Sequence, residues 1–172
     1  VGAAPGPGLN EGTTSSLSTG GRVLITGGSG GLGLHVARHL ARRVDELVLI
    51  GRRPLDDAMK ARARGLRRWG AVVSCRSLDL EDADAVARFV EASPAFDAVY
   101  HLAGVVGPRA HAVKCRSLEL LAGLDCALWV LFSSISSVLP GLRDGIESYA
   151  DANAWLDRWA EAQDRPGRRV VS

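Results

Sequence analysis

Residues 23–33, with the sequence V-L-I-T-G-G-S-G-G-L-G, constrain the fold of this chain more than any other stretch. Apolar residues that favour β-structure lead into a glycine cluster. The cluster runs into L-H-V-A-R-H-L-A-R-R, which places Val36 and Leu40 on one helical face and arginines on the other. The predicted order is therefore strand, tight turn and helix. Glycine suits such a turn because it accepts positive φ and lets backbone approach closely.

The glycine turn is a candidate binding site for a diphosphate group. It fits two glycine patterns, Gly28-x-Gly30-x-x-Gly33 and Thr26-Gly27-x-x-x-Gly31-x-Gly33. A glycine pattern alone is a weak signal, and the preceding strand and following helix strengthen it. Exposed amides at the helix start, together with the helix dipole, favour a doubly negative ligand. The alternative is a merely flexible glycine loop.

Length and composition indicate one globular domain without a nucleic-acid or membrane partner. The 172 residues can bury a core, and 47% hydrophobic with 23% charged residues is ordinary for a soluble protein. The net charge of +2 is small and the arginines are scattered, whereas nucleic-acid binding needs a basic cluster. No apolar run approaches the ~20 residues of a membrane span. The N-terminus lacks the pattern of a signal peptide, so we expect a cytoplasmic protein.

The first part of the chain differs in composition from the rest. Residues 1–20 are rich in Gly, Pro, Ser and Thr and hold few large apolar side chains, so they cannot offset the entropy of ordering. We interpret them as a flexible linker before the domain at residues 21–172, and we expect either a piece of a longer polypeptide or a domain joined to a neighbour.

From residue 22 onward, apolar strand patterns alternate with helical patterns. Predicted strands cover 22–26, 46–50, 71–75, 97–102, 126–132 and 169–172, and predicted helices cover 31–43, 56–69, 82–92, 113–123 and 147–163. Continuous apolar strands separated by helices indicate a parallel sheet covered on both faces. The predicted class is α/β, a doubly wound Rossmann-like sheet that binds ligands beyond the carboxyl ends of its strands.

The residues after the second strand indicate which dinucleotide the turn would hold. A carboxylate there typically binds the ribose 2′-hydroxyl of NAD, whereas a 2′-phosphate favours arginine. The chain has Gly51-Arg52-Arg53 and no acid before Asp56. This predicts NADP(H), and the alternative is two solvated arginines in a loop. Asp79, after the third strand, is a candidate partner of the adenine amine, with a turn or N-cap role equally open.

Polar groups suited to proton transfer follow the fifth strand. F-S-S-I-S-S ends that strand, and Tyr149 and Asn153 share a face of the last helix because they are four residues apart. A phenol with an ordinary pKa of about 10 transfers protons poorly at neutral pH unless a cation lowers the pKa. Lys114, one of two lysines, can supply that charge. Taken singly, each of these residues has a plain structural alternative.

As a set, these residues predict hydride transfer from NADPH to a ketone. Ser134 would hydrogen-bond the carbonyl oxygen, and Tyr149 would donate a proton to the developing alkoxide. Lys114 would stabilise the tyrosinate, and Asn153 would position a water molecule or Lys114.

Other notable side chains are expected to be structural. The three cysteines are widely spaced and form no C-x-x-C pair, so neither a disulfide framework nor a metal site is expected. Cys75 and Cys126 lie in predicted strands and suit the core. For His101 we favour a structural role over that of a base. For Trp155 and Trp159 we favour packing over ligand stacking.

The chain resembles the short-chain dehydrogenase/reductase superfamily, and most of all the ketoreductase domains of modular type I polyketide synthases. The resemblance covers the chain from Arg22 onward. In that family a lysine precedes the serine, and an asparagine follows the tyrosine by four residues, as here. The matching segments are T-G-G-S-G-G-L-G, G-R-R, S-L-D-L, H-L-A-G-V, Lys114, F-S-S and Y-A-D-A-N-A-W-L-D.

The resemblance implies reduction of a β-ketoacyl thioester to a β-hydroxyacyl thioester. The substrate would be carried on the phosphopantetheine arm of an acyl carrier protein, beside neighbouring synthase domains. Lys114, Ser134, Tyr149 and Asn153 would be the catalytic residues. The expected cofactor-binding residues are Thr26, Gly27, Gly28, Ser29, Gly30, Gly31, Leu32, Gly33, Arg52, Arg53, Asp79, Leu80 and, by the resemblance, Ala103 and Gly104.

Three departures from the family pattern qualify this expectation. Residues 106–113 form a shorter segment before the lysine than the family has, and the chain ends at Ser172, so we expect a sheet truncated after its sixth strand. The usual spacing back from Tyr149 picks Ser136, but the F-S-S match picks Ser134, which we favour. The alternatives to an active ketoreductase are a catalytically inactive scaffold domain of a megasynthase and a stand-alone reductase of small carbonyl compounds.

Overall fold

A six-stranded parallel sheet forms the centre of the fold. The computed structural model describes residues 20–172, so the predicted linker lies outside the described residues except for Gly20. The strands are β1 (Arg22–Thr26), β2 (Glu46–Gly51), β3 (Val72–Ser77), β4 (Phe96–His101), β5 (Cys126–Leu131) and β6 (Arg169–Val171). Their order is β3-β2-β1-β4-β5-β6, and all neighbours are parallel.

Helices connect the strands and cover the sheet. They are α1 (Gly31–Leu40), α2 (Asp57–Arg67), α3 (Ala83–Glu91), α4 (Ser117–Leu121) and α5 (Glu147–Gln163). A π-helical turn, Ala112–Arg116, precedes α4, and two 3-10 turns, Ile135–Ser137 and Pro140–Leu142, lie between β5 and α5. The carboxylates of Asp56 and Asp82 cap α2 and α3 by accepting backbone amide hydrogens.

Apolar side chains cover both faces of the sheet because successive strand residues point to opposite faces. Leu24 of β1 belongs to one buried cluster with Val99 and Trp129. Its neighbours Val23 and Ile25 belong to a second cluster. A strand buried on both faces explains the continuous apolar runs in the sequence. The predicted doubly wound α/β class is confirmed.

The strand order opens a crevice at the carboxyl edge of the sheet. After β1 the chain crosses to β2 and β3 on one side, and β4 then continues on the other side of β1. Thr26, the last residue of β1, is in register with Ile50 and His101 on the two neighbouring strands. The loops that follow β1 and β4 therefore diverge from one point. Sheets of this type bind ligands at such a point.

Most predicted boundaries agree with the structure to within a few residues. The predicted segments 22–26 and 147–163 coincide with β1 and α5. The helix predicted at 113–123 differs, because a π-helical turn occupies its first part and α4 only its second. α1 ends at Leu40, three residues early, because the carbonyl of that residue accepts the turn-forming amide of Arg43.

The tryptophans on α5 pack against the core, as predicted. Trp159 lies edge to face with the fully buried Trp129, at 6.2 Å between ring centres, and stacks on Trp155. Cys126 is buried, whereas Cys75 is half-buried because it lies on the edge strand β3. Within residues 20–172, no helix has the length and apolar character of a membrane span.

Candidate active site

The turn after β1 is tightly packed on its protein side and open on the other. Gly27 has a φ of 68°, in the left-handed region that favours glycine. A Cβ at Gly28 would come 2.8 Å from the Cβ of Leu49, and a Cβ at Gly33 would collide with the Gly27 carbonyl oxygen. A Cβ at Gly31 would meet no atom within 4 Å. The open side is available to a ligand.

Helix α1 begins without a side-chain cap. Its N-cap residue is Gly30 and its first turn has no acidic residue, in contrast to α2 and α3, which Asp56 and Asp82 cap. The first amides of α1 therefore have no capping side chain, and the first residues of the helix, 31–33, lie on the open side of the turn. These amides and the positive end of the helix dipole fit the diphosphate of a dinucleotide.

A cleft of about 560 Å³ opens beside this turn. Thr26 and Gly28 lie behind it, because both are buried under the turn. The Thr26 hydroxyl oxygen accepts from the backbone amides of Leu102 and Ala103, so it supports the loop after β4. All the other predicted cofactor-binding residues line the cleft, namely Gly27, Ser29, Gly30, Gly31, Leu32, Gly33, Arg52, Arg53, Asp79, Leu80, Ala103 and Gly104.

The rim after β2 carries two exposed guanidinium groups, those of Arg52 and Arg53. The next acidic residue along the chain is Asp56, and its carboxylate accepts from the Met59 amide at 2.7 Å. That carboxylate is committed to the start of α2. The rim directly after β2 therefore carries two cationic groups and no acidic residue before Asp56.

Asp79 has a turn role in the structure. Its Oδ1 accepts from the backbone amide of Glu81 at 3.1 Å, while Asp82 is the residue that caps α3. The Asp79 side chain is exposed and lines the cleft. Glu81, on the same rim, forms an ion pair with Arg109. Contact between Asp79 and an adenine amine stays a prediction.

Lys114 lies in the π-helical turn and is only 3% exposed, and it packs behind the cleft without being one of its lining residues. Its stem passes close to Gly104, where a Cβ would come 2.8 Å from the lysine Cε. The ammonium donates to the carbonyl oxygen of Phe132 at 2.6 Å, and Nζ lies 5.5 Å from the centre of the Tyr149 ring. The structure thus brings the predicted cation and phenol together.

Burial is the main influence on the ammonium of this lysine. Loss of solvent lowers the pKa of Lys114 to about 8, although Cys115 and Asp157 act in the opposite direction. Lys114 therefore carries its charge at neutral pH and loses it at mildly alkaline pH.

Tyr149 and Asn153 lie one turn apart on α5, as predicted. Asn153 is fully buried, and its Nδ2 donates to the Tyr149 carbonyl oxygen at 2.8 Å. Within residues 20–172, the Oδ1 atom of Asn153 has no hydrogen-bond partner. A buried acceptor without a donor costs free energy, and a bound water would relieve that cost. The Lys114 ammonium bonds to Phe132 and not to Asn153.

Two serines compete for the role of carbonyl-binding group. The Ser134 oxygen accepts from the hydroxyl of Ser136 at 3.0 Å and from its amide at 3.3 Å. Ser136 is 3% exposed, whereas Ser134 is half-buried. Because Ser134 accepts in both bonds, its own hydroxyl proton is free to bind a ligand. Ser134 lies with Asp157 and Ser172 in a pocket separate from the cleft beside the glycine turn, so the choice between the two serines stays a prediction.

The model of the KR domain family matches residues 21–118, more than half of the chain. This chain belongs to the KR domain family.

Relatives of this KR domain are polyketide synthases and ketoreductases. PksL of Bacillus subtilis is 37% identical over 188 residues, which cover 87% of this chain and 4% of PksL. EryA3 of Saccharopolyspora erythraea is 34% identical over 176 residues, 92% of this chain and 6% of EryA3. The structure of PlmKR1, a phoslactomycin ketoreductase of Streptomyces sp. HK803, gives a TM-score of 0.79 at 34% identity and covers 90% of this chain and 41% of PlmKR1. The chain thus spans a small part of these synthases.

A buried hydrogen-bond chain in this KR domain was not foreseen from the sequence. Nδ1 of His101 lies 3.0 Å from the Thr26 hydroxyl, and Nε2 lies 3.0 Å from the Lys114 carbonyl oxygen. Both ring nitrogens are engaged and burial lowers the pKa of His101 to about 4, which agrees with a structural role and not with a base. The only local sign of this hydrogen-bond chain in the sequence is a histidine at the end of a predicted buried strand.

Proposed function

We propose that this KR domain is an active ketoreductase that uses NADPH to reduce a β-ketoacyl thioester. The observation that carries the proposal is the position of the Lys114 ammonium, buried beside Gly104 of the cleft and 5.5 Å from the Tyr149 ring centre. Burying a cation costs free energy, so a buried cation of lowered pKa beside a cleft is typical of functional sites.

The cofactor choice rests on the chain's own groups around the cleft. The uncapped start of α1 would bind the diphosphate, and Arg52 and Arg53 would bind a 2′-phosphate through their guanidinium groups. Ala103 and Gly104 would form the small-residue wall along the cofactor. Thr26 and Gly28 would act from behind, by holding the shape of the turn and of the loop after β4.

The proposed reaction delivers a hydride and a proton to a ketone. NADPH, when bound, supplies the hydride. Tyr149 donates its phenolic proton to the alkoxide oxygen as that charge develops, and the Lys114 ammonium stabilises the phenolate that is left. The free hydroxyl proton of Ser134 orients the ketone oxygen. The unpartnered Oδ1 of Asn153 holds a water that can return a proton to this site.

The proposed substrate is a β-ketoacyl chain bound as a thioester to the phosphopantetheine arm of an acyl carrier protein. The support for this substrate, and for neighbouring synthase domains, is that relatives such as PksL and EryA3 are polyketide synthases. The product would be the β-hydroxyacyl thioester on the same arm.

A catalytically inactive scaffold is the second candidate. Only residues 105–113 separate Gly104 from Lys114, and the ammonium is bonded to the Phe132 carbonyl. The test is NADPH oxidation by the purified chain with a β-ketoacyl thioester of N-acetylcysteamine, a mimic of the phosphopantetheine end. An active domain consumes NADPH and forms the β-hydroxy product. An inactive scaffold binds NADPH, which a fluorescence titration detects as a signal change that saturates, but it forms no β-hydroxy product.

A further inference from the structure

His101 lies at the carboxyl end of a central strand, β4, and is completely buried. As the last residue of β4, it is in register with Thr26 on β1 and with Leu131 on β5. Each ring nitrogen has one partner at 3.0 Å, the Thr26 hydroxyl for Nδ1 and the Lys114 carbonyl oxygen for Nε2. The imidazole therefore connects the strand before the glycine turn with the backbone of Lys114.

The chemistry of its partners fixes the direction of each hydrogen bond that the His101 ring makes. A carbonyl oxygen only accepts, so Nε2 must carry a hydrogen and donate it to Lys114. Burial keeps the ring neutral, so Nδ1 accepts from the Thr26 hydroxyl. The Thr26 oxygen in turn accepts from the amides of Leu102 and Ala103, at 3.1 and 3.0 Å. The neutral Nε2-protonated ring satisfies all of these groups at once.

The same arrangement holds Lys114 at both ends. Its backbone carbonyl accepts from His101. The nearby Ser117 hydroxyl donates mainly to the Val113 carbonyl, at 2.5 Å against 3.3 Å to that of Lys114. Its ammonium donates to Phe132, and its stem packs on Gly104. The residue lies in a π-helical turn, where the regular backbone ladder of an α-helix is interrupted. Because the α-helical hydrogen bonding is interrupted here, tertiary contacts help to fix the position of the Lys114 backbone.

We propose that His101 is a positioning residue for Lys114: the Nε2 hydrogen bond fixes the lysine backbone and thereby keeps the ammonium between Phe132 and Tyr149. The inference rests on the proposed function, in which Lys114 acts on Tyr149. Loss of this hydrogen bond frees the π-helical turn, and the ammonium then moves toward solvent.

Two amide variants separate this role from a merely structural one. In His101→Gln, the side-chain nitrogen can replace Nε2 and donate to Lys114, but nothing replaces Nδ1. In His101→Asn, the side-chain oxygen can replace Nδ1 and accept from Thr26, but the donor to Lys114 is lost. Positioning of Lys114 predicts that Gln is the better substitute. A role confined to Thr26 and the strand ends predicts that Asn is the better substitute.

The first measurement is the titration of the Lys114 ammonium by NMR of protein with carbon-13 lysine. The chain has two lysines, and Lys60→Arg assigns the signals. We expect His101→Asn to raise the Lys114 pKa from about 8 toward 10.5, and His101→Gln to leave it near the wild-type value. The other titratable groups facing Lys114 are Cys115, Asp157 and Tyr149, and both variants leave them in place. An unchanged pKa in His101→Asn overturns the proposal.

The second measurement needs no variant. Nitrogen-15 spectra of the wild-type histidines should show one neutral ring, protonated on Nε2, that stays so at neutral and mildly acidic pH. A His101 ring protonated on Nδ1 overturns the proposal even where the variants do not fold.

Kinetics separate this inference from the proposed function. In active protein, His101→Asn should lower kcat about tenfold, the value of one hydrogen bond, with the KM for NADPH unchanged. Wild-type protein without any reductase activity would refute the proposed function, while both NMR measurements would still decide the role of His101.

Discussion

The Lys114 ammonium donates a hydrogen bond to the Phe132 carbonyl oxygen at 2.6 Å while it lies 5.5 Å from the centre of the Tyr149 ring. The segment directly after β5 thus bonds the cation, and helix α5 carries the phenol. Neither residue is near the other in sequence, so the sheet is what brings them together.

The lowered pKa of Lys114 predicts the pH dependence of the reaction. The ammonium is the active form, and its fraction falls as the pH rises through about 8. We expect kcat/KM for ketone reduction to decline on the alkaline side with an apparent pKa of about 8. Lys114→Met should remove most activity, whereas Lys60→Met, at an exposed position on α2, should not. An alkaline midpoint near 10.5 would contradict the burial argument.

The guanidinium groups after β2 predict cofactor preference. Arg52→Ala should weaken NADPH binding about tenfold or more, because a charge-assisted hydrogen bond to the 2′-phosphate is lost, and should leave NADH binding almost unchanged. Arg64→Ala, an exposed arginine on α2 that does not line the cleft, is the matched control. Titration of both cofactors by fluorescence measures the effect. Equal losses for the two cofactors would refute the 2′-phosphate assignment.

Two glycines of the turn predict opposite outcomes for the same substitution. Gly33→Ala should lower the free energy of unfolding by about 2 kcal/mol, because its Cβ would collide with the Gly27 carbonyl. Gly31→Ala meets no protein atom and gains helix propensity, so it should fold normally. It should nevertheless weaken NADPH binding, because its methyl group enters the cleft. Thermal unfolding and cofactor titration of both variants test this contrast.

The buried imidazole predicts acid destabilisation. Burial lowers the pKa of His101 from 6.5 to about 4, so the unfolded chain binds more protons than the folded protein between these values. The free energy of unfolding therefore falls as the pH drops through this window, by about 3 kcal/mol when complete. Urea unfolding of wild type and His101→Gln at neutral pH and at about pH 4.5 measures the effect. The variant should lose less stability on acidification, and an equal loss would count against a neutral buried His101.

The sequence was sufficient to predict the sheet and the place of the cleft. Apolar runs such as 22–26 and 126–132 can be identified as strands without knowing which strands they pair with. A strand that is covered on both faces needs consecutive apolar side chains, and this local pattern is visible in the sequence. The spacing of Tyr149 and Asn153 predicts a shared helix face for the same local reason.

The remaining features depend on contacts between distant segments. A π-helical turn takes the place of the first part of the helix predicted at 113–123. The carbonyl of Lys114 in this turn bonds to His101, which lies thirteen positions earlier in the sequence. The partner of the ammonium is a backbone carbonyl, that of Phe132, and any residue type supplies one. Thr26 is part of the glycine motif in the sequence, but in the structure its hydroxyl oxygen accepts a hydrogen bond from the Ala103 amide in the loop after β4. Residue identity alone does not encode these pairings.

The most direct test of the account compares the two tyrosines of the chain. Tyr149 lies beside the Lys114 ammonium, whereas Tyr100 is half-buried on β4. NADPH oxidation is measured with a β-ketoacyl thioester for wild type, Tyr149→Phe and Tyr100→Phe, each at saturating cofactor. The account predicts that Tyr149→Phe binds NADPH normally but loses at least about a hundredfold in kcat, while Tyr100→Phe keeps the wild-type rate. Turnover of Tyr149→Phe at the wild-type rate would contradict it.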